Sequence, residues 1–333
     1  DLGMNSEITE QLRVATKELN RISGERIRDE LLKCLDLPDL SVTYNLMGQF
    51  GIFFQLLYRV NILGVSPKTA APAANVDFAE ELILPTWSSL DEKSGTENNP
   101  LQTLEYLLTE IDNPNAESRI LKQASPLRTA PAVLTGLNAC LGESLQGGRT
   151  RKQMFILYAL FFYNHPASFH NEIEAMDSRK FAEGLTNAFM LGQKEQKFFE
   201  LVGIGYQNIL SLSQKEELIS LDFYHYFKEV GSFGLESAVL HLADQSATPL
   251  PDERIKLIAE KIIPTWFQNH ETIVNPPRLV NGDDLQKTIH LEPGPKIGLY
   301  LEMIREAQVR GELKIRDEAI AFVLKLKNEG KEI

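Results

Sequence analysis

Cysteine is scarce: the 333 residues hold only Cys34 and Cys140, far apart in the chain. Neither a disulfide framework nor a zinc site is suggested, and a reducing, cytoplasmic setting is expected. Long apolar runs are missing as well. The stretch from Phe155 to Tyr163 falls far short of the roughly 20 residues that a membrane span needs, so no membrane partner is expected. The start, Asp1-Leu2-Gly3-Met4, lacks the charged and apolar regions of a signal peptide. There is no Walker loop, no dinucleotide glycine fingerprint, no Gly-x-Ser-x-Gly elbow and no zinc-ligand spacing. Strand-like alternation is rare. The first residue is not Met, so the chain is expected to begin partway through a longer protein, with a start at Met4 as the alternative.

What is present points to a packed helical protein. Hydrophobic residues make up 43% and charged residues 24%, enough for a real core and too little charge for bulk disorder. The net charge of -12 argues against a general nucleic-acid coat and against a DNA partner. The acidic excess lies between residues 36 and 277, and the two ends are nearly balanced. The C-terminal stretch carries Lys287, Lys296, Arg305, Arg310, Lys314 and Arg316. A local basic face there suits RNA phosphates, although a solvated helix surface accounts for the same spacing.

Helical periodicity dominates, which makes the expected fold class all-α. Ser23 is a good N-cap, with Glu25 in the first turn and Ile27, Leu31, Cys34 and Leu35 along one stripe. Arg26 and Glu30, four apart, are placed to pair. Gln49 to Val60 reads as a second apolar helix. Residues 61–79 read as a linker or long loop, and 88–100 as polar and turn-rich. Leu101 to Glu110 reads as a helix ended by Asp112-Asn113-Pro114. Residues 119–245 read as a bundle with turns at Gly147-Gly148 and near Pro166, followed by a loop over 243–252. Pro276, Pro277, Pro293 and Pro295 mark a boundary over 275–296. One helix then starts at Gly294-Pro295 and ends at Arg310-Gly311, and a last one runs from Arg316 to about Lys327. Trp87 and Trp266, each after a Pro-Thr pair, read as core anchors at helix ends. The expected division is neck helices over 1–60, a helical body over 61–275 and a helical tail over 276–333.

Two segments carry a family resemblance. The first is Met4-Asn-Ser-Glu-Ile-Thr9 leading into Ile22-Ser-Gly-Glu-Arg-Ile-Arg-Asp-Glu-Leu31. The second is Leu279-Val-Asn-Gly-Asp-Asp-Leu285, then Pro293-Gly-Pro-Lys-Ile-Gly298, Arg305-Glu-Ala-Gln308, Gly311 and Arg316-Asp-Glu-Ala319. In order and spacing they are similar to the neck and tail motifs of the class II tRNA nucleotidyltransferases, the CCA-adding enzymes and bacterial poly(A) polymerases. The resemblance implies tRNA as partner, with Glu25, Arg26, Arg28 and Glu30 supporting a nucleotide pocket from the neck. It also implies RNA contact by the tail, through Lys287, Gly294, Lys296, Gly298, Arg305 and Arg316. Gly294 and Gly298 would let another backbone approach the start of a helix, where free N–H groups and Lys296 favour phosphate. A rigid helix start and a helix-crossing contact explain the same two glycines without RNA. At the last helix the usual Ser or Thr cap is replaced by Lys314 and Ile315, which cap poorly.

The family's chemistry needs a Gly-Ser turn followed by Asp-x-Asp, whose carboxylates hold the metal ions. No Asp-x-Asp occurs: Gly231-Ser232 is followed by Phe233-Gly234, and Asp283-Asp284 are adjacent rather than alternating. The chain alone is therefore expected to have no catalytic residue, no metal site and no cofactor. Mg²⁺, CTP and ATP would belong to a head absent from these residues. Some family members carry a metal-dependent HD phosphohydrolase in the body, but no His-Asp dipeptide occurs here. His165 and His170 are isolated, and Leu240-His-Leu-Ala-Asp244 offers one His and one Asp, so the body reads as a degenerate HD-like scaffold. The alternatives are a stand-alone helical RNA-binding or scaffold protein, and a phosphohydrolase.

Overall fold

A computed structural model of the chain describes residues 6–37, 40–60, 100–113, 131–164, 176–248, 250–290 and 293–328. These residues form fifteen α-helices and no β-strand, with one isolated antiparallel bridge between Ser144 and Thr150. The fold is all-α. The expected linker over 61–79, the polar stretch over 88–99, Trp87, Pro166, His165 and His170 lie outside the described residues.

The first group holds α1 (Ser6–Lys17), α2 (Gly24–Leu35), α3 (Leu40–Gln49) and α4 (Ile52–Arg59). The single helix expected over Gln49 to Val60 is broken. Gly51 takes a left-handed conformation at φ 71°, which ends α3 and starts α4. The break turns both Phe50 and Phe53 into the core. On α2 the buried stripe is Ile27, Leu31, Leu32 and Leu35, while Cys34 is only half-buried.

The second group holds α5 (Pro100–Asp112), α6 (Pro131–Gly142), α7 (Arg151–Phe162), α8 (Ser178–Phe189), α9 (Gln193–Ser213), α10 (Ser220–Val230), α11 (Gly234–Ala247) and α12 (Glu253–Gln268). Helix α7 is buried on every side from Met154 to Phe162, as a helix at the centre of a bundle must be. Its first turn is locked by a capping box between Thr150 and Gln153. The turn at Gly147-Gly148 uses positive φ at both residues. The loop expected over 243–252 is shorter, because α11 continues to Ala247 and buries Ala243 and Ala247. Trp266 packs on Phe227 and His270 but is half-buried, so it flanks the core rather than anchoring it.

One buried ion pair crosses this group. Arg151 grips both carboxylate oxygens of Glu236 at 2.7 Å, also donates to Glu143 and Ser232, and lies over the Phe233 ring. Both members are almost wholly buried, so losing one would strand a charge at a cost of about 3–5 kcal/mol.

The last group is α13 (Gly282–Ile289), α14 (Pro295–Val309) and α15 (Arg316–Asn328). Apolar residues divide into two clusters. One runs from Ile27 to Ile263 and takes in helices of the first and second groups; the other runs from Val280 to Leu326 within the last group.

Candidate nucleic-acid interface

Helix α14 is held to its own cluster by Ile297, Tyr300, Ile304 and Ala307. That fixes which residues face outward. Gly294, Pro295, Lys296, Gly298 and Leu299 are exposed at its start. No side chain caps this end, and Pro295 occupies the first turn, where its missing N–H costs nothing. A Cβ at Gly294 or Gly298 would meet no atom of the described residues within 4 Å. The helix-crossing explanation of Gly298 is therefore overturned: these glycines leave room toward solvent. Lys296 makes no ion pair among the described residues.

The other tail cations are placed differently. Lys287 is exposed in the last turn of α13, which packs on α14. Arg316 donates to Asp284 at 2.9 Å, and that contact holds the Asp284 carboxyl below its usual range. Asp284 also closes a capping box with Asn281, so the adjacent pair Asp283-Asp284 helps to start a helix. Arg305 is half-buried beside Tyr224 and Glu302, away from the open start of α14. The weak cap at Lys314 and Ile315 is repaired from behind. The Glu318 carboxylate accepts from the backbone N–H of Lys314 at 2.6 Å and of Ile315 at 3.3 Å.

The neck residues also separate. Glu25 and Arg26 are exposed, and Glu30 pairs with Lys33 at 2.8 Å rather than with Arg26. Ser23 stands at the N-cap without using its hydroxyl. Arg28 turns inward and donates to the carbonyls of Phe189 and Met190 at 3.4 and 3.0 Å. Arg59 joins it, donating to Ala188 O at 2.9 Å and Ile22 O at 3.0 Å. Two guanidinium groups thus take up the loose carbonyls at the C-terminal end of α8, where the helix dipole favours positive charge. Gly24 allows the approach: a Cβ there would lie 2.4 Å from Ala188 O.

The comparisons fit both ends. The family model described as "Probable RNA and SrmB- binding site of polymerase A" matches residues 1–61. The one described as "tRNA nucleotidyltransferase domain 2 putative" matches residues 206–323. Together these two matches support a relationship to the tRNA nucleotidyltransferase family. It is similar to the CC-adding tRNA nucleotidyltransferase of Synechocystis sp., 24% identical over 147 residues, which is 44% of this chain and 33% of that protein. The chain thus matches about a third of the length of that relative. No solved structure matches.

Of the His and Asp of the expected HD-like remnant, His241 is a core residue and Asp244 is partly buried beside it. His241 is fully buried, stacks on Tyr206 with ring centroids 3.6 Å apart, and has Nε2 2.9 Å from Tyr206 O. Tyr206 donates to Asp244 at 2.5 Å. These contacts use the groups in packing rather than gathering them into a ligand set. The one group of three possible ligands among the described residues is His225, Glu302 and Glu306. Glu302 there already accepts from Tyr224 and pairs with Lys228. Sequence reasoning missed this cluster, because its members lie on helices about 80 residues apart and neither helix carries a recognisable motif. No helix of the described residues is long and apolar enough to cross a membrane.

Proposed function

We propose that this chain is the RNA-holding part of an enzyme that builds tRNA 3′ ends. The neck supports the nucleotide pocket through exposed Glu25, Arg26 and Glu30, while Arg28 holds the neck helix in place against α8. The tail receives the T arm, and the body sets the distance to the acceptor end. Lys296 and Lys287 supply charge to phosphates, and Gly294 and Gly298 let the RNA backbone close on the uncapped start of α14. Arg305 and Arg316 act indirectly, by fixing α14 and α15. CTP, ATP and Mg²⁺ belong to a catalytic segment outside residues 1–333. The residues here contribute positioning, a large part of phosphoryl-transfer catalysis. One observation carries the reading: the start of α14 is bare, glycine-lined and cationic, with no neighbour within 4 Å of a Cβ at Gly294 or Gly298 among the described residues. The matches at residues 1–61 and 206–323 support it.

Filter binding of the chain to tRNA transcripts tests this. Affinity should fall by about tenfold or more between about 50 and about 200 mM salt, and by similar amounts for tRNAs of different identity. Lys296→Ala should reduce the salt slope by about one. Gly298→Ala should leave the helix as stable or stabilise it by up to about 1 kcal/mol, yet weaken RNA binding. Affinity indifferent to salt would sink the reading and leave a helical scaffold.

A further inference from the structure

Where α10 packs on α14, polar side chains bridge the body and the tail. From α10, Tyr224 donates its hydroxyl to Glu302 at 2.9 Å, and Lys228 pairs with the same carboxylate oxygen. One residue further along α10 than Tyr224, His225 Nε2 lies 3.0 Å from Glu306. On the tail side Arg305 adds positive charge beside Tyr224 and Glu302, and Arg310 stands 3.9 Å from Glu306. Gln308 donates to Pro277 O at 2.9 Å. Among the described residues the buried apolar residues of the tail form their own cluster, from Val280 to Leu326. The contrast with the neck is plain, since Ile27, Leu31 and Phe53 lie in the same apolar cluster as the body.

We propose that Tyr224, Lys228 and Glu302 form a positioning clasp that sets the angle of the tail on the body. Glu302 is its centre, because it takes one neutral and one charged donor from a single face of α10. Tyr224 is buried on α10, so its hydroxyl offers a fixed anchor, whereas Lys228 is half-exposed and supplies an adjustable one. Ionic contacts at such exposure weaken with salt, and an interdigitated apolar joint would not. The clasp thus makes tail orientation an electrolyte-sensitive property of the chain. The consequence for RNA rests on the reading of the tail given above, but the clasp itself is read out without RNA.

The experiment uses the whole chain with Cys34 and Cys140 replaced by Ser. Dyes are placed at Lys194→Cys in α9 and Leu324→Cys in α15, both at exposed positions. Single-molecule energy transfer should give a narrow distance distribution that broadens for Glu302→Ala, for Lys228→Glu and in about 1 M salt. The charge swap Lys228→Glu with Glu302→Lys should narrow it again, which a merely structural role would not predict. Tyr224→Phe, which keeps the buried ring, should broaden it to a smaller extent. Far-UV melting of each variant checks that both clusters stay folded. Distributions unchanged in Glu302→Ala and Lys228→Glu would overturn the clasp. In RNA binding, Glu302→Ala should lose about tenfold for a minihelix with acceptor stem and T arm, through lost simultaneous engagement, and nothing for the acceptor stem alone. If the distance distribution moves while neither RNA is affected, the clasp stands and the RNA role of the tail falls.

Discussion

His241 and Asp244 lie one helical turn apart on α11 and titrate in opposite directions. Burial pushes the His241 imidazole down to about 4, and burial pushes the Asp244 carboxyl up to about 7 against its bonds from Tyr206 and Tyr163. As pH falls through the range from 6.5 to about 4, unfolded His241 gains a proton that the folded protein refuses, so acid destabilises. Asp244 works the other way. Its folded form keeps a proton that the unfolded form releases above 3.8, so its contribution is full in acid and is lost as pH rises through about 7. The two effects oppose each other over most of this window. Asp244→Asn removes one of them, and its stability relative to the parent should decline by up to about 2–3 kcal/mol as pH falls from about 7 to about 4. Urea unfolding at a series of pH values measures this, and parallel curves for the two proteins would refute it. Nothing local in the sequence announces the pair, because Tyr206, which stacks on one and bonds the other, sits 35 residues upstream of His241. For the same reason the sequence shows Arg28 as a charged helix residue but not its carbonyl partners, 161 and 162 residues away.

At the scale of elements, legibility follows how local the deciding interaction is. The start of α14 at Pro295 and its end before Gly311, at φ 78°, were both readable, since each depends on a few adjacent residues. The break at Gly51 was not, because a lone Gly in an apolar run is compatible with a continuous helix until tertiary packing recruits Phe50 and Phe53 together. The N-cap at Ser23 was placed correctly, but the reason for Gly24 comes from another helix. Gly24→Ala must push its new methyl against Ala188 O, a backbone atom that cannot swing aside. We expect a loss of about 1–3 kcal/mol, read by chemical denaturation. The exposed substitution Ser23→Ala should cost less, as no side-chain cap bond is lost. If Gly24→Ala proved neutral, the abutment of α2 on α8 would be disproved.

At the scale of the whole molecule, the two apolar clusters differ greatly in extent. The larger draws on eleven helices between Ile27 and Ile263, while the smaller rests on three helices. Opening free energies should follow. In native-state hydrogen exchange, amides of α13, α14 and α15 should exchange through an opening that leaves α7, α9 and α11 protected. A single opening energy shared by both sets would contradict the division. The absence of Asp-x-Asp was legible from the residues, and the tail motif was legible as a family resemblance. The bridge from Tyr224 and Lys228 to Glu302 was not, because its members lie on helices more than 70 residues apart.

The polar junction at Glu302 has a consequence for how the molecule is made. A chain is synthesised from its N-terminus, and the larger cluster is complete in sequence at Ile263, before any residue of the smaller one has been added. Because no tail side chain has to be threaded into the larger cluster, its folding does not wait for the last three helices. The tail then settles onto a finished surface, and a fault in its own packing leaves the rest of the chain folded.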